Sequence, residues 1–268
     1  MKTLEVVRAG GVVTATLNRP ERRNALSLTM FRELRELADE VARNPQDRVL
    51  VLRGAGGTFC AGGDLTPEPG EPLPEFDGPP SAPAAALSSI RNDVGRAAMA
   101  LHALEKPTIA AVQGTAAGAG ASLAFGCDLT LAEAGSRFGL VFVRRGLALD
   151  FGASWSLPRL VGLKKAKELA LYGDWIDAEE AERLGLVNRV FAPADFDAGV
   201  ADWAERLASQ APLAVSIIKR SLERGSEASF GEALETETVG QAALTATNDF
   251  TEGMQAFLEK RAPKFRGS

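Results

Sequence analysis

Two glycine turns offer the first chemistry that can be read from this chain. Phe59-Cys60-Ala61-Gly62-Gly63-Asp64-Leu65 and Gly118-Ala119-Gly120 each stand where an apolar strand pattern stops. A turn that leads from a strand into a helix leaves backbone N–H groups without intrahelical acceptors, and the helix dipole lies behind them. Two such turns facing one point would hold a developing oxyanion, each donor contributing about 3–4 kcal/mol. The nearby side chains are less reactive. Cys60 reads as a small group packed inward, and the single histidine, His102, as a residue of a helix surface or packing layer. Asp64 reads as a turn residue whose carboxylate bonds backbone N–H groups. Cys60 and Cys127 lie far apart with no CxxC, so neither a disulfide framework nor a zinc site is suggested.

The elements that must position these turns follow from periodicity. Residues 4–8 and 12–17 alternate as strands on either side of Gly10-Gly11, a hairpin signal. Ser27 is a candidate N-cap for a helix with Leu28, Phe31, Leu34, Leu37, Ala38 and Val41 on one face, ending near Asn44-Pro45. Residues 49–52 form a continuous apolar run, the mark of a buried strand, and stop at the glycines around 54–57. A proline-rich surface loop over 66–83 and a helix over 88–104 come next. A second buried strand over 108–112 stops at Gly114, followed by a helix over 118–125 and a strand over 129–132. The uncharged run 107–126 has the length of a membrane span, but its Ala- and Gly-rich composition around Gln113 predicts strand, turn and helix instead. Beyond Pro193 the pattern is helical, over 196–209, 213–222, 230–245 and 250–258, which predicts a core over 1–193 and a helical oligomerisation region over 194–268.

With 268 residues, 46% of them hydrophobic and 24% charged, the chain can bury a sizeable core and reads as soluble. A net charge of −5 gives no footprint for nucleic acid or for an anionic membrane. The charged start Met1-Lys2-Thr3-Leu4-Glu5 lacks the apolar stretch of a secretory signal, and a cytoplasmic location is expected.

The motifs together resemble the crotonase (enoyl-CoA hydratase/isomerase) superfamily. Phe59 to Leu65 looks like its first signature, and Lys106-Pro107-Thr108-Ile109-Ala110-Ala111-Val112-Gln113-Gly114 with Gly118-Ala119-Gly120 looks like its second. Phe138-Gly139 begins the third, Phe257-Leu258-Glu259-Lys260-Arg261 resembles the C-terminal motif, and Asn18-Arg19-Pro20 and Arg23-Asn24-Ala25-Leu26 fit near the start. The resemblance implies an α/β fold, the crotonase (ClpP-like) spiral of repeated ββα units in two nearly perpendicular sheets, with C-terminal helices that build homotrimers or dimers of trimers. It implies an acyl-coenzyme A thioester as substrate, no separate cofactor or metal, and an oxyanion hole from the N–H groups of Ala61 and Ala119.

At the acid/base positions the chain departs from the hydratases of that family. Their first glutamate falls on Ser122 and their second on Phe142, and neither side chain can activate water near neutral pH. Asp150, in Gly146-Leu147-Ala148-Leu149-Asp150-Phe151-Gly152, resembles the acidic residue of epoxyphenylacetyl-CoA and enoyl-CoA isomerases. Aryl-CoA dehalogenases also use an aspartate there, but with tryptophan where Phe142 stands. An enoyl-CoA isomerase with Asp150 as proton shuttle is therefore expected, with an enoyl-CoA hydratase or a catalytically silent acyl-CoA-binding protein as alternatives. Asp150 could equally serve as N-cap of a helix starting near Gly152. The resemblance also assigns coenzyme and substrate contacts to Arg23, Ala25, Leu26, Gly62, Gly63, Asp64, Leu65, Gly118, Ser122, Phe142 and Leu147. The resemblance has Phe257 and Lys260 reach over from the C-terminal helix of a neighbouring subunit.

Overall fold

Gly10 and Gly11, at φ of 58° and 85°, supply the left-handed turn that joins strands β1 (Leu4–Ala9) and β2 (Val12–Leu17) in antiparallel register, Leu4 facing Leu17. The computed structural model describes residues 1–65 and 87–268, so the proline-rich loop expected over 66–83 lies outside the described residues. Helix α1 (Leu28–Arg43) starts as its sequence predicts, with the Ser27 hydroxyl accepting the Met30 N–H at 3.2 Å.

Strands β3 (Val49–Gly54), β4 (Thr108–Val112), β6 (Leu129–Glu133) and β9 (Arg189–Phe191) extend the hairpin into a six-stranded sheet in the order β1-β2-β3-β4-β6-β9. All neighbours after the first pair run parallel. Alternation along these strands divides the core. Leu50, Leu52, Ala110 and Val112 join the larger cluster with α1, α2 (Arg96–His102) and α3 (Ala119–Gly126), while Val49, Val51, Ile109, Ala111 and Leu131 join a second cluster. Helix α6 (Phe196–Ala208) covers that second face with Phe196, Val200, Ala204 and Ala208, a stripe spaced by four residues. A parallel sheet buried on both faces explains the unbroken apolar runs in the sequence.

The structure differs from the sequence expectations at three elements. The helix expected over 88–104 is interrupted by a π-helical turn, Ile90–Gly95, whose Asp93 bridges to Arg32 of α1 at 2.8 Å. The strands of a second sheet, in the order β5-β7-β8, are not legible in the sequence: β5 (Thr115–Ala117), β7 (Arg137–Gly139) and β8 (Trp175–Asp177) have three residues each, too few to show a period. The region from 194 onward begins with α6, which is a core helix; the surface helices are α7 (Pro212–Gly225), α8 (Phe230–Thr245) and α9 (Asn248–Glu259). Lys219 of α7 is tied to Asp128 at 2.8 Å, and Asp128 also accepts the N–H and hydroxyl of Thr108 at the start of β4. The uncharged run 107–126 folds as β4, β5 and α3, and among the described residues no helix is long and apolar enough to cross a membrane.

Candidate active site

The two glycine turns meet because the segment before the first one pairs with the strand before the second. Phe59 N–H bonds Gln113 O at 2.8 Å, Cys60 N–H bonds Thr115 O at 3.0 Å, and Ala117 N–H returns to Cys60 O at 2.9 Å, a parallel pairing along β5. Both chains therefore reach their turns at the same end of the ladder. Gly114, at φ of 62°, carries the chain from β4 into β5 with Gly57 O so close that a Cβ would sit 2.4 Å from it. At the turns, a Cβ on Gly62 would lie 3.0 Å from Ala117 O and 3.8 Å from Ala119 N, and one on Gly118 would lie 3.9 Å from the Gly62 Cα. Gly62 and Gly118 have φ of 105° and 51°, a region that favours glycine.

One expected donor is corrected. The Ala61 N–H is already bonded to Arg23 O at 3.0 Å and is not available to a ligand. Two residues on, Gly62 O accepts Leu26 N–H and Asp64 N–H bonds Leu26 O, an arrangement that leaves the intervening Gly63 N–H with no acceptor among the described residues. Ala119 is the first residue of α3, so its N–H has no intrahelical partner. Gly63 in the first turn and Ala119 in the second thus each present an N–H with no acceptor among the described residues.

Asp150 is not an N-cap. Gly152 caps α4 (Ala153–Tyr172) without a side-chain bond, and only the backbone carbonyl of Asp150 takes part, accepting Ala153 N–H at 3.0 Å. Oδ1 of Asp150 is buried with no hydrogen-bond partner among the described residues. Burial alone raises this carboxyl from the ordinary aspartate range to about 6. Phe151 has φ of 49°, a costly conformation for an aromatic residue, and stacks on Phe31 of α1 with ring centroids 5.8 Å apart. Cys60 is fully buried and feels this carboxylate; desolvation first, then the charge of Asp150, push its thiol up to about 12, so it is a neutral packing group.

Several other expected residues gather here. The Phe142 ring lies 3.9 Å from a Cβ built on Gly118, and its carbonyl accepts the Leu147 N–H at 3.0 Å. Ser122 is fully buried, its hydroxyl donating back to Gly118 O at 3.2 Å, so it lies behind the turn. Leu65 and Leu147 are exposed, whereas the Leu26 side chain is in the core and only its backbone pairs with the first turn. Arg23 and Asn24 both adopt positive φ and shape the approach to Ala25. Asp64 is bound by a side chain: its carboxylate pairs with Arg19 at 2.8 Å. Arg19 and Asn24 are structural partners that their motif contained but that carried no role when read as sequence. Phe257 and Lys260 stand exposed at the end of α9, and His102 packs its ring edge-on to Trp155 at 5.0 Å.

Gly120 makes the closeness of the turns testable. A Cβ there would lie 2.7 Å from the Cβ, Sγ and carbonyl oxygen of Cys60. Alanine in a helix ordinarily gains up to about 1 kcal/mol over glycine, but here Gly120→Ala is expected to destabilise by about 1–3 kcal/mol through overpacking. Urea unfolding measures the sign, and a stabilised variant would contradict this packing.

The structure thus brings the two glycine turns together, leaves an N–H in each without an acceptor among the described residues, and buries the Asp150 carboxylate within electrostatic reach of Cys60 in the first turn. The sequence matches the enoyl-CoA hydratase/isomerase family over residues 8–268. It is 36% identical to the 1,2-epoxyphenylacetyl-CoA isomerase of Escherichia coli K12, over 96% of this chain and 95% of that protein. It is 34% identical to the short-chain-enoyl-CoA hydratase of Clostridium acetobutylicum, over 95% of this chain and 94% of that one. The fold superposes on the crystal structure of an enoyl-CoA hydratase from Bacillus anthracis with a TM-score of 0.88 and 31% identity, covering 99% of this chain and 100% of the other.

Proposed function

The chain belongs to the enoyl-CoA hydratase/isomerase family, and from that premise we propose that it is an enoyl-CoA isomerase in which Asp150 carries the proton. The N–H groups of Gly63 and Ala119 bind the thioester oxygen. In a 3-enoyl thioester, Asp150 takes a proton from C2, the two donors hold the resulting dienolate, and the same proton returns at C4 to give the conjugated 2-enoyl ester. The observation that carries this reading is the buried Oδ1 of Asp150, which has no partner among the described residues. Ser122, turned back to Gly118 O, and Phe142, an apolar ring beside Gly118, support isomerisation over hydration because neither can activate water. The exposed apolar residues Ile218, Leu222, Phe230 and Val239 of the last helices support assembly as a trimer or a dimer of trimers, with Phe257 and Lys260 closing over the coenzyme of a neighbour.

The test is to supply the enzyme with a trans-3-enoyl-CoA and, separately, with crotonyl-CoA, following double-bond migration and water addition. Isomerisation that exceeds hydration is the expected result; hydration that exceeds isomerisation assigns the hydratase reaction instead, and binding without turnover a silent acyl-CoA-binding protein. The pH profile adds a second check. A carboxyl raised to about 6 must be ionised to act as base, so kcat/KM is expected to reach a plateau above pH 7 and to fall about tenfold per unit below pH 6. A profile flat down to pH 4.5 would remove Asp150 from the role.

A further inference from the structure

Residues 19–26 and 60–64 are stitched together more tightly than their separation in sequence suggests. Three backbone bonds join them: Ala61 N–H to Arg23 O at 3.0 Å, Leu26 N–H to Gly62 O at 2.8 Å and Asp64 N–H to Leu26 O at 2.9 Å. One guanidinium spans both segments. Arg19 donates to Ala25 O at 2.6 Å and to Asp64 Oδ2 at 2.8 Å, with only 4% and 7% of the two charged side chains exposed. Asn24 fixes the same loop from below, accepting the Arg19 N–H at 3.0 Å and donating to Ala55 O and Thr58 O at 2.9 and 2.8 Å. A buried ion pair is costly to desolvate and is weak evidence for stability. What this pair does is tie Ala25 to Asp64, the residue next to Gly63.

We propose that the Arg19–Asp64 pair is a positioning device through which occupancy of the loop at Ala25 by the nucleotide half of the coenzyme sets the Gly63 donor for the thioester oxygen. The inference rests on the acyl-CoA reading above and on the coenzyme contact that the family resemblance assigns to Ala25. Binding energy from the far end of the substrate is then used at the reacting centre, so removing that end costs kcat as well as KM. Arg19 and Asp64 touch no reacting atom in this scheme; they act through the backbone at Ala25 and Gly63.

The experiment compares a saturated acyl-CoA with the matching acyl-pantetheine, following C2 proton exchange in deuterium oxide. That readout reports enolate formation itself and is independent of whether the net reaction is isomerisation or hydration. In the wild-type enzyme the nucleotide half is expected to raise the exchange kcat by about tenfold or more. In Asp64→Asn, which keeps the shape and loses the charge, and in Arg19→Met/Asp64→Leu, which removes both charges and leaves neither buried alone, that ratio is expected to fall to within about twofold of one. The KM for the CoA ester should move by less than about threefold. A general loss of structure would slow both thioesters alike and leave the ratio where it was. An unchanged ratio in both variants, or a wild-type enzyme that exchanges both thioesters with the same kcat, overturns the proposal. Failure of the isomerase reading shows elsewhere, as an unconverted 3-enoyl-CoA in the wild type.

Discussion

Asp150→Asn is expected to lower isomerisation of a 3-enoyl-CoA by about 10²- to 10⁴-fold, the usual contribution of a positioned acid/base group, with little change in substrate binding. The same substitution is expected to stabilise the fold at neutral pH. The carboxyl titrates near 3.9 in an unfolded chain and at about 6 in the folded one. Between those values the folded state binds more protons than the unfolded state, so stability falls as pH rises through the window, and the deficit is complete above it. Asparagine carries no such penalty. A gain of about 1–3 kcal/mol at pH 7.5, seen as a rise of about 2–6 °C in Tm, should vanish near pH 4. A variant that loses stability at pH 7.5, or that keeps most of its activity, would show that Asp150 is held by contacts of another kind.

The second large effect is expected from Ala119→Pro. Position 119 is the first of α3, where proline fits the helix and its missing N–H leaves no helical bond unmade. The preceding Gly118 is outside the helical region, at φ of 51° and ψ of −124°, which a following proline tolerates. The substitution therefore deletes one anion donor and little else. A loss of about 10²- to 10³-fold in kcat is expected, with the thermal unfolding transition shifted by only a few degrees. If kcat stays within a few-fold of wild type, Ala119 does not hold the thioester oxygen.

Much of this arrangement is legible in the sequence, and the parts that are not share a cause. The long apolar strands, the Ser27 cap and the two glycine turns follow from local pattern, because each depends on residues a few positions apart. The choice between Ala61 and Gly63 as donor does not. It is decided by residues 23–26, which approach from almost forty positions away and consume one N–H while leaving the next-but-one unpaired. The pairing of residues 59–61 with β5 is likewise long-range, and β5 is too short to announce itself. Asp150 shows the same limit from the other side. An aspartate close before a helix start reads as a candidate cap, but Asp150 stands three residues before Ala153, behind the left-handed Phe151 and Gly152, and its Oδ1 is buried with no partner among the described residues. Arg19 and Asp64, forty-five residues apart, became partners for the same reason.

Both donors of the proposed anion site are main-chain groups, and this would make such a site nearly invisible to the commonest way of mapping one. Ala119 is already the residue that a scan by alanine would install. Gly63 has a negative-φ backbone and open space where a Cβ would go, so a methyl there changes neither the N–H nor its surroundings. The positions that would respond are Gly62, Gly114, Gly118 and Gly120, whose conformations or neighbours exclude a side chain. A scan by alanine would therefore outline the proposed anion site only by its intolerant rim, with two silent positions at its centre.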